Sequence, residues 1–379
     1  MAAEPDLQSL RERIEALDRR LLELLRQRMA LAEGVAGAKL ASASPFRDPP
    51  REEEVLRRVR HMAAEIGLDA HQIERLYRLV MEMSIARQQA YVHALDSVPL
   101  RVAYQGVEGS FSHLAAQRRY AGRPGGALLT GYEAFWQAVA AVRDGEADLA
   151  LLPIENSTAG SINETYDLLA EGGIAINAEV VSSIEHCLLG LPGSRVADLR
   201  AVLSHPQGLR QCEAFLHAHP WIRPQTEFDT AGAAEKVKLG NDPTIGAIAG
   251  ESAAARYGLE VLERGIQTQK DNFTRFVEVA LEAAPCPPDA ACKTSLLLAL
   301  PHRPGALGEA LAELGRRGVN LCKLESRPFP GKPWQYRFYL DLEGHAASAR
   351  VAAALQALAE LATGLRVLGT YPRAESSAT

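Results

Sequence analysis

Apolar residues recur at alternating three- and four-residue steps near the start of the chain, at Leu7, Leu10, Ile14, Leu17, Leu21 and Leu24, and again at Leu31 and Val35. This spacing predicts one long helix, from about Asp6 to Leu40, with an apolar seam along one face. Where the next leucine is due stands Arg28. A buried unpaired cation costs several kcal/mol, so Arg28 either snorkels to water or faces a pocket that holds an anion. Lys39 lies three helical turns further on, on nearly the same face and about 16 Å away along the axis. Arg11 is about 25 Å from Arg28 in the other direction and rotated by roughly 100°, so it reaches the same ligand only from another subunit. A helix this long cannot bury its seam alone, and an antiparallel copy would bring a partner's Arg11 toward Arg28 and Lys39. Taken alone, the helix is equally readable as a coiled-coil-like arm with solvated charges.

Two later clusters bear on that choice. Asp48-Pro49-Pro50-Arg51-Glu52 reads as a helix start, with Asp48 as N-cap and proline at the first helical position. In a third helix, about Asp69 to Leu95, Ser84 and Gln88 are four apart and share a face. With the cations they offer guanidinium forks, an ammonium, an amide and a hydroxyl, a set suited to a dicarboxylate that carries an ether and a hydroxyl.

On these residues, positions 5 to 92 resemble the all-helical chorismate mutase domain, an intertwined dimer of three-helix chains. The resemblance implies that Arg11 of the partner, Arg28 and Arg51 handle the carboxylates and that Ser84 contacts one of them. It gives Lys39 and Gln88 the ether oxygen of the breaking bond, and Asp48 and Glu52 the hydroxyl end. The implied reaction is a Claisen rearrangement of chorismate to prephenate. Its catalysis would come from holding the folded conformer and setting positive charge beside the ether oxygen.

At 379 residues the chain has room for two or three domains, and its net charge of −6 gives no electrostatic case for nucleic acid or an anionic membrane surface. No apolar run reaches membrane-spanning length, and the opening MAAEPDLQSL lacks a signal-peptide layout. Five cysteines, odd in number and without a CxxC, fit structural thiols in a reducing cytoplasm and no metal site.

The texture changes twice. From about Asp96 to Pro99, helical sequence gives way to short β-like runs between amphipathic stretches, at Leu100 to Tyr104, Asp148 to Pro153, Ile174 to Val181, Ala201 to Ser204, Thr244 to Ile248 and Phe273 to Ala280. That rhythm predicts an α/β domain. A Pro-rich linker over 283–293 precedes a smaller unit that reads βαββαβ, a ferredoxin-like α+β order. The expected domains are therefore 1–96, 97–282 and 294–379.

In the middle domain, three strand ends run into helix starts rich in small polar residues: Gly106 to His113, Glu155 to Ser161 and Ser204 to Gln207. Free N–H groups at helix starts suit carboxylates, though Ser and Asn there also serve as plain caps. The glycines of the first loop are spaced GxxG rather than GxGxxG, which disfavours a nicotinamide, and no cofactor is expected. These loops, with His186-Cys187-Leu188-Leu189 and Asp271-Asn272-Phe273-Thr274-Arg275-Phe276, resemble prephenate dehydratase. The resemblance covers about residues 100 to 281 and implies two lobes arranged like periplasmic binding proteins, with the site between them. It implies decarboxylating loss of the hydroxyl from prephenate to give phenylpyruvate, with Thr274 serving the departing hydroxyl. Glu155, Asn156 and Gln211 would be further catalytic residues, with Ser204 and Arg275 on the substrate. His113, His186 and His205 read as packed or capping histidines.

The last unit resembles the ACT amino-acid-sensing family, on Gly305-Ala306-Leu307-Gly308 at a helix start, Glu325-Ser326-Arg327-Pro328 after a strand, and Pro333-Trp334. The family's first run usually ends in Val where this chain has Gly308. The resemblance implies L-phenylalanine bound between two such units and lowering dehydratase activity. Together the three resemblances imply a homodimeric or larger enzyme taking chorismate to phenylpyruvate under phenylalanine control. Two other readings stay open at this point: a non-catalytic amino-acid or keto-acid sensor, and a dehydratase that prefers arogenate.

Overall fold

The computed structural model describes residues 7–41, 48–286 and 290–374. The chain forms two compact units, Met1–Val98 and Pro99–Thr379. The first holds three helices, α1 (Leu7–Ala41), α2 (Pro49–Glu65) and α3 (Ala70–Ser97). As the sequence predicts, Asp48 caps α2, accepting from Arg51 N at 3.1 Å with proline in the first turn. Both α1 and α2 pack on α3. Arg28 reaches Val80 and Glu33 reaches Arg87, so the contacts advance together along both chains and α1 and α3 run parallel. The buried face of α1 is the small-residue side, Ala32 and Ala36. The predicted seam, from Leu7 through Leu24 to Leu31, lies open on the single chain.

The second unit begins with β1 (Leu100–Gln105), α4 (Phe111–Tyr120), β2 (Ala127–Tyr132), α5 (Phe135–Arg143), β3 (Leu149–Asn156), β4 (Gly160–Ser161), α6 (Asn163–Glu171) and β5 (Ala175–Ser183). The chain then crosses into a second lobe: β6 (Cys187–Gly190), β7 (Ala201–Ser204), α7 (Pro206–Gln211), α8 (Glu213–Ala218), β8 (Arg223–Thr226), α9 (Thr230–Gly240), β9 (Ile245–Ala249), α10 (Glu251–Tyr257) and β10 (Glu260–Glu263). It returns through residues 264–272 into β11 (Phe273–Ala280).

The first sheet has the order β2-β1-β3-β11-β5, with β4 on β3, and the second has the order β10-β6-β9-β7-β8. β11, the last strand of this region, thus lies in the interior of the first lobe's sheet, antiparallel to both β3 and β5. The two crossings are laced together, Ile184 N donating to Asn272 O at 2.8 Å and Ile266 N to His186 O at 2.9 Å. The strands read from the sequence are all present; β2, β4, β6, β8 and β10 are additional, and β8 (RPQT) is an exposed edge without an apolar pattern.

The remainder is β12 (Cys292–Ala299), α11 (Ala306–Arg316), β13 (Leu321–Pro328), β14 (Tyr336–Glu343), α12 (Ala349–Leu361) and β15 (Gly364–Pro372), in the βαββαβ order. Its antiparallel sheet is ordered β13-β14-β12-β15. The linker before it does not mark a break in packing, however. Tyr339, Leu368 and Tyr371 share one buried cluster with Leu152, Leu169 and Val277 of the first lobe. At the tightest point, Gly369 of β15 lies directly against the carbonyl of Ile176 in β5, where any Cβ would collide with backbone. Gly369→Ala should therefore loosen the join and cost about 1–3 kcal/mol, read as a lower midpoint in denaturant unfolding; an unchanged midpoint would show that the two sheets slide freely.

Candidate active sites

In the helical unit, Arg28 is half-buried and its Nη1 donates to Val80 O at 3.3 Å, which puts its guanidinium against α3. Because α1 and α3 run parallel, Gln88 lies level with a point on α1 between Arg28 and Lys39. Gln88 is buried, and its Oε1 meets no hydrogen-bond partner among the described residues. A buried amide end without a partner is costly unless something else fills it. Lys39 and Ser84 are half-buried. Arg11 is exposed, and the exposed Arg51 pairs with Glu54 at 2.5 Å. Asp48 serves as the cap of α2, and Glu52 sits on its first turn.

The larger cleft, about 540 Å³, opens between the two α/β lobes. One wall carries Thr274 and Phe276 of β11 with Pro153 and Asn156 of β3; the other carries His205, Gln207 and Gln211. Asn156 is the centre of a buried network. Its Nδ2 donates to Asn272 Oδ1 at 2.8 Å, Phe273 O at 3.1 Å and Thr274 Oγ1 at 3.0 Å. Its Oδ1 accepts from Thr158 N and Oγ1, Ala159 N and, across the lobes, Gln211 Nε2 at 3.1 Å. Since Thr274 Oγ1 accepts from an amide, its hydroxyl hydrogen is left to donate.

His186 donates from Nε2 to Gln211 Oε1 at 2.7 Å, a direction fixed because the Gln211 amide nitrogen is already donating to Asn156 and Thr158. Its ring lies edge-on to Phe111, and its buried Nδ1 has no partner among the described residues. His186 is thus a packed residue that orients Gln211. His205 caps α7, and His113 accepts from Gly109 N. On the cleft's far side, Asp229 caps α9 through Gly232 N at 2.6 Å and accepts from Val107 N of the first lobe at 3.1 Å. Gly106, at φ 105°, permits that approach, since a Cβ there would sit 2.9 Å from the Asp229 carboxylate.

Three expected cleft residues lie elsewhere. Ser204 is fully buried and donates to Ile248 O at 2.6 Å, so it closes a strand end and does not line the cleft. Arg275 and Glu155 point from the opposite face of the sheet. Arg275 pairs with Asp341 at 2.6 Å, Glu179 at 3.3 Å and Glu155 at 3.6 Å, while Glu155 also meets Lys323 at 2.6 Å. The reason is the two-residue period of a strand: Thr274 and Asn156 are cross-strand partners facing the cleft, so their neighbours Arg275 and Glu155 face away.

In the C-terminal module, Gly305 takes φ 81° at the start of α11, followed by buried Ala306, half-buried Leu307 and exposed Gly308. Ser326, Pro328 and Trp334 are exposed, whereas Glu325 and Arg327 are engaged by Ser161 and Asp167 of the first lobe.

A family model for prephenate dehydratase matches residues 102–284, and one for chorismate mutase type II matches residues 10–89. The chain is 40% identical to a bifunctional chorismate mutase/prephenate dehydratase of Escherichia coli strain K12, over 98% of its own length and 97% of the relative's. It belongs to the bifunctional chorismate mutase/prephenate dehydratase family. Among solved structures, the prephenate dehydratase of Arthrobacter aurescens in complex with L-Phe is similar at 33% identity and a TM-score of 0.66, over 72% of this chain and 90% of that one. GqqA, described as a novel type of quorum quenching acylase, is similar at 38% identity and 0.65, over 72% and 98%. No helix among the described residues is long and apolar enough to cross a membrane.

For this family member, the sequence reading missed Asn272, Thr158 and Asp229 as parts of the site. Asn272 and Thr158 stand inside the runs that carry the resemblance; Asp229 has no local signal beyond a cap position before α9.

Burial holds the imidazoles of His186, His205 and His113 below their ordinary pKa, with the Gln211 contact only partly opposing this for His186. Below the ordinary value of about 6.5 the unfolded chain takes up protons that the folded chain refuses, so stability is full above that pH and is lost as pH falls through it. The melting temperature should drop between pH 7.5 and 5, and by less in His186→Gln; equal drops in both proteins would remove His186 from the account.

Proposed function

We propose that the helical unit converts chorismate to prephenate and that the interlobe cleft dehydrates and decarboxylates prephenate to phenylpyruvate. The observation that carries the dehydratase assignment is the Asn156–Thr274 pair, which leaves a hydroxyl proton directed at a ligand-sized cleft. Thr274 donates a hydrogen bond to the departing hydroxyl; its own pKa is too high for outright proton release, and aromatisation of the ring supplies the drive. Asn156 and Gln211 fix that donor and the wall around it. Carboxylates of the substrate meet the start of α4, at Ser110, Phe111 and Ser112, where the helix dipole and first-turn N–H groups favour anions.

In the helical unit, Arg28 and Lys39 hold the chorismate carboxylates and the ether oxygen, and Gln88 donates to that oxygen from its amide nitrogen. Asp48 and Glu52 take the hydroxyl end, with Ser84 and Arg51 on a carboxylate. The exposed seam of α1 supports a homodimer in which the partner contributes Arg11. The C-terminal module acts as an ACT-type sensor of L-phenylalanine through the Gly305–Gly308 turn, Ser326, Pro328 and Trp334, consistent with the L-Phe complex of the Arthrobacter enzyme. We assign the protein to the cytoplasm and require no cofactor for either step.

Thr274→Ala should lower phenylpyruvate formation at least a hundredfold and leave chorismate consumption intact. Lys39→Ala should do the reverse, with the loss falling on kcat more than on KM. Wild-type dehydratase rates in the first variant, or an unchanged mutase kcat in the second, would refute the respective assignment.

A further inference from the structure

The residues behind the dehydratase wall form an ionic layer that the proposed reaction does not use. Thr274 pairs in register with Asn156 on the cleft side, and the next pair, Arg275 with Glu155, faces the C-terminal module. That module grips both members of the rear pair. Asp341 of β14 holds Arg275 Nη1 at 2.6 Å, and Lys323 of β13 holds Glu155 Oε1 at 2.6 Å. Lys323 Nζ also donates to Ser161 Oγ at 3.1 Å, and Ser161 lines the cleft. Arg275 and Asp341 are both largely shielded from solvent, so the tether is rigid compared with a surface ion pair.

We propose that Asp341–Arg275 and Lys323–Glu155 are the mechanical link between the C-terminal module and the dehydratase site, so that a shift of β13 and β14 displaces Thr274 and Asn156 from behind. Lys323 and Asp341 are then positioning residues that touch no substrate and bind no effector. The inference rests on the cleft being the dehydratase site and on the module binding L-phenylalanine. Geometry supports the route because the tethers land on the residues adjacent to the catalytic pair, and a strand segment paired on both sides moves as a unit.

The test uses the full chain with Lys323→Met, Lys323→Arg and Asp341→Asn. Asparagine still accepts from Ser295 Oγ, which bonds Asp341 at 2.6 Å, so the local fold keeps that contact. L-phenylalanine binding is measured by calorimetry, phenylpyruvate formation is measured across L-phenylalanine concentrations, and mutase rate serves as internal control. The expected result for Lys323→Met and Asp341→Asn is binding within twofold of wild type, half-inhibition moved at least tenfold higher, and an unchanged mutase rate. Lys323→Arg should restore inhibition. Inhibition that stays at its wild-type value, or that weakens only in step with binding, overturns the link. A wild-type chain that binds no L-phenylalanine fails the sensor reading instead, and the link falls with it. Should a variant lose mutase activity or melt early, the Arg substitution decides: failure to recover inhibition in a folded Lys323→Arg protein also overturns the proposal.

Discussion

The pairing of β3 with β11 is the constraint on which the dehydratase half depends. β11 comes last in its α/β region yet sits inside the first lobe's sheet, so that sheet is complete only after the chain has built the second lobe and returned. The interlobe cleft follows from this path, since both crossings, 184–186 and 264–272, lie at its back and hydrogen-bond to each other. Two strands meeting at this place give two faces with different chemistry. The front carries a neutral network of Asn156, Thr274, Asn272 and Gln211, and the rear carries Arg275 with three carboxylates.

The helical unit is governed by a different constraint. A helix of 35 residues spans about 52 Å, and its partners within the chain cover only the alanine side. Its leucines are too many and too regular to be indifferent surface residues, since large contiguous apolar patches mark interaction surfaces. The opening in the seam at Arg28 gains its meaning from the same geometry, because Arg28 turns against α3 and the leucine stripe stays exposed on the chain.

What could be read in the sequence was periodicity and short polar runs; what could not was facing. The α1 helix, the cap at Asp48 and the βαββαβ order follow from local pattern and are found in place. Thr274 and Asn156 stand in distinctive runs, Gln211 does not, and the structure brings all three into one hydrogen-bond network at the cleft. Arg275 and Glu155 stood in the same runs and turned the other way, because a strand reverses its face at every residue and the run does not say which face is front. Ser204 looked like an anion-binding serine at a helix start, but its hydroxyl is claimed by the carbonyl of Ile248, 44 positions downstream, a contact that no local pattern announces. Glu325 and Arg327, likewise, read as effector residues until the module is seen packed on the first lobe.

The two candidate sites differ in the groups they offer an anion. The helical unit offers side-chain cations, Arg28 and Lys39, which can set charge beside an oxygen that becomes electron-rich in a rearrangement without proton transfer. Among the described residues lining the interlobe cleft there is neither Lys nor Arg, while Glu133, Glu164 and Asp229 are present. Charge stabilisation there falls to neutral donors and the start of α4, since Glu164 and Asp229 stand at the starts of α6 and α9. That suits a reaction in which a carboxylate departs as carbon dioxide: a cation clamped on that group would stabilise the ground state more than the transition state and slow its loss. The basic residues nearby, Arg275, Lys293 and Lys323, are held behind the wall by Glu155, Glu179 and Asp341. Their charge there joins the C-terminal module to the rear of the β3–β11 pair, on the face turned away from the cleft.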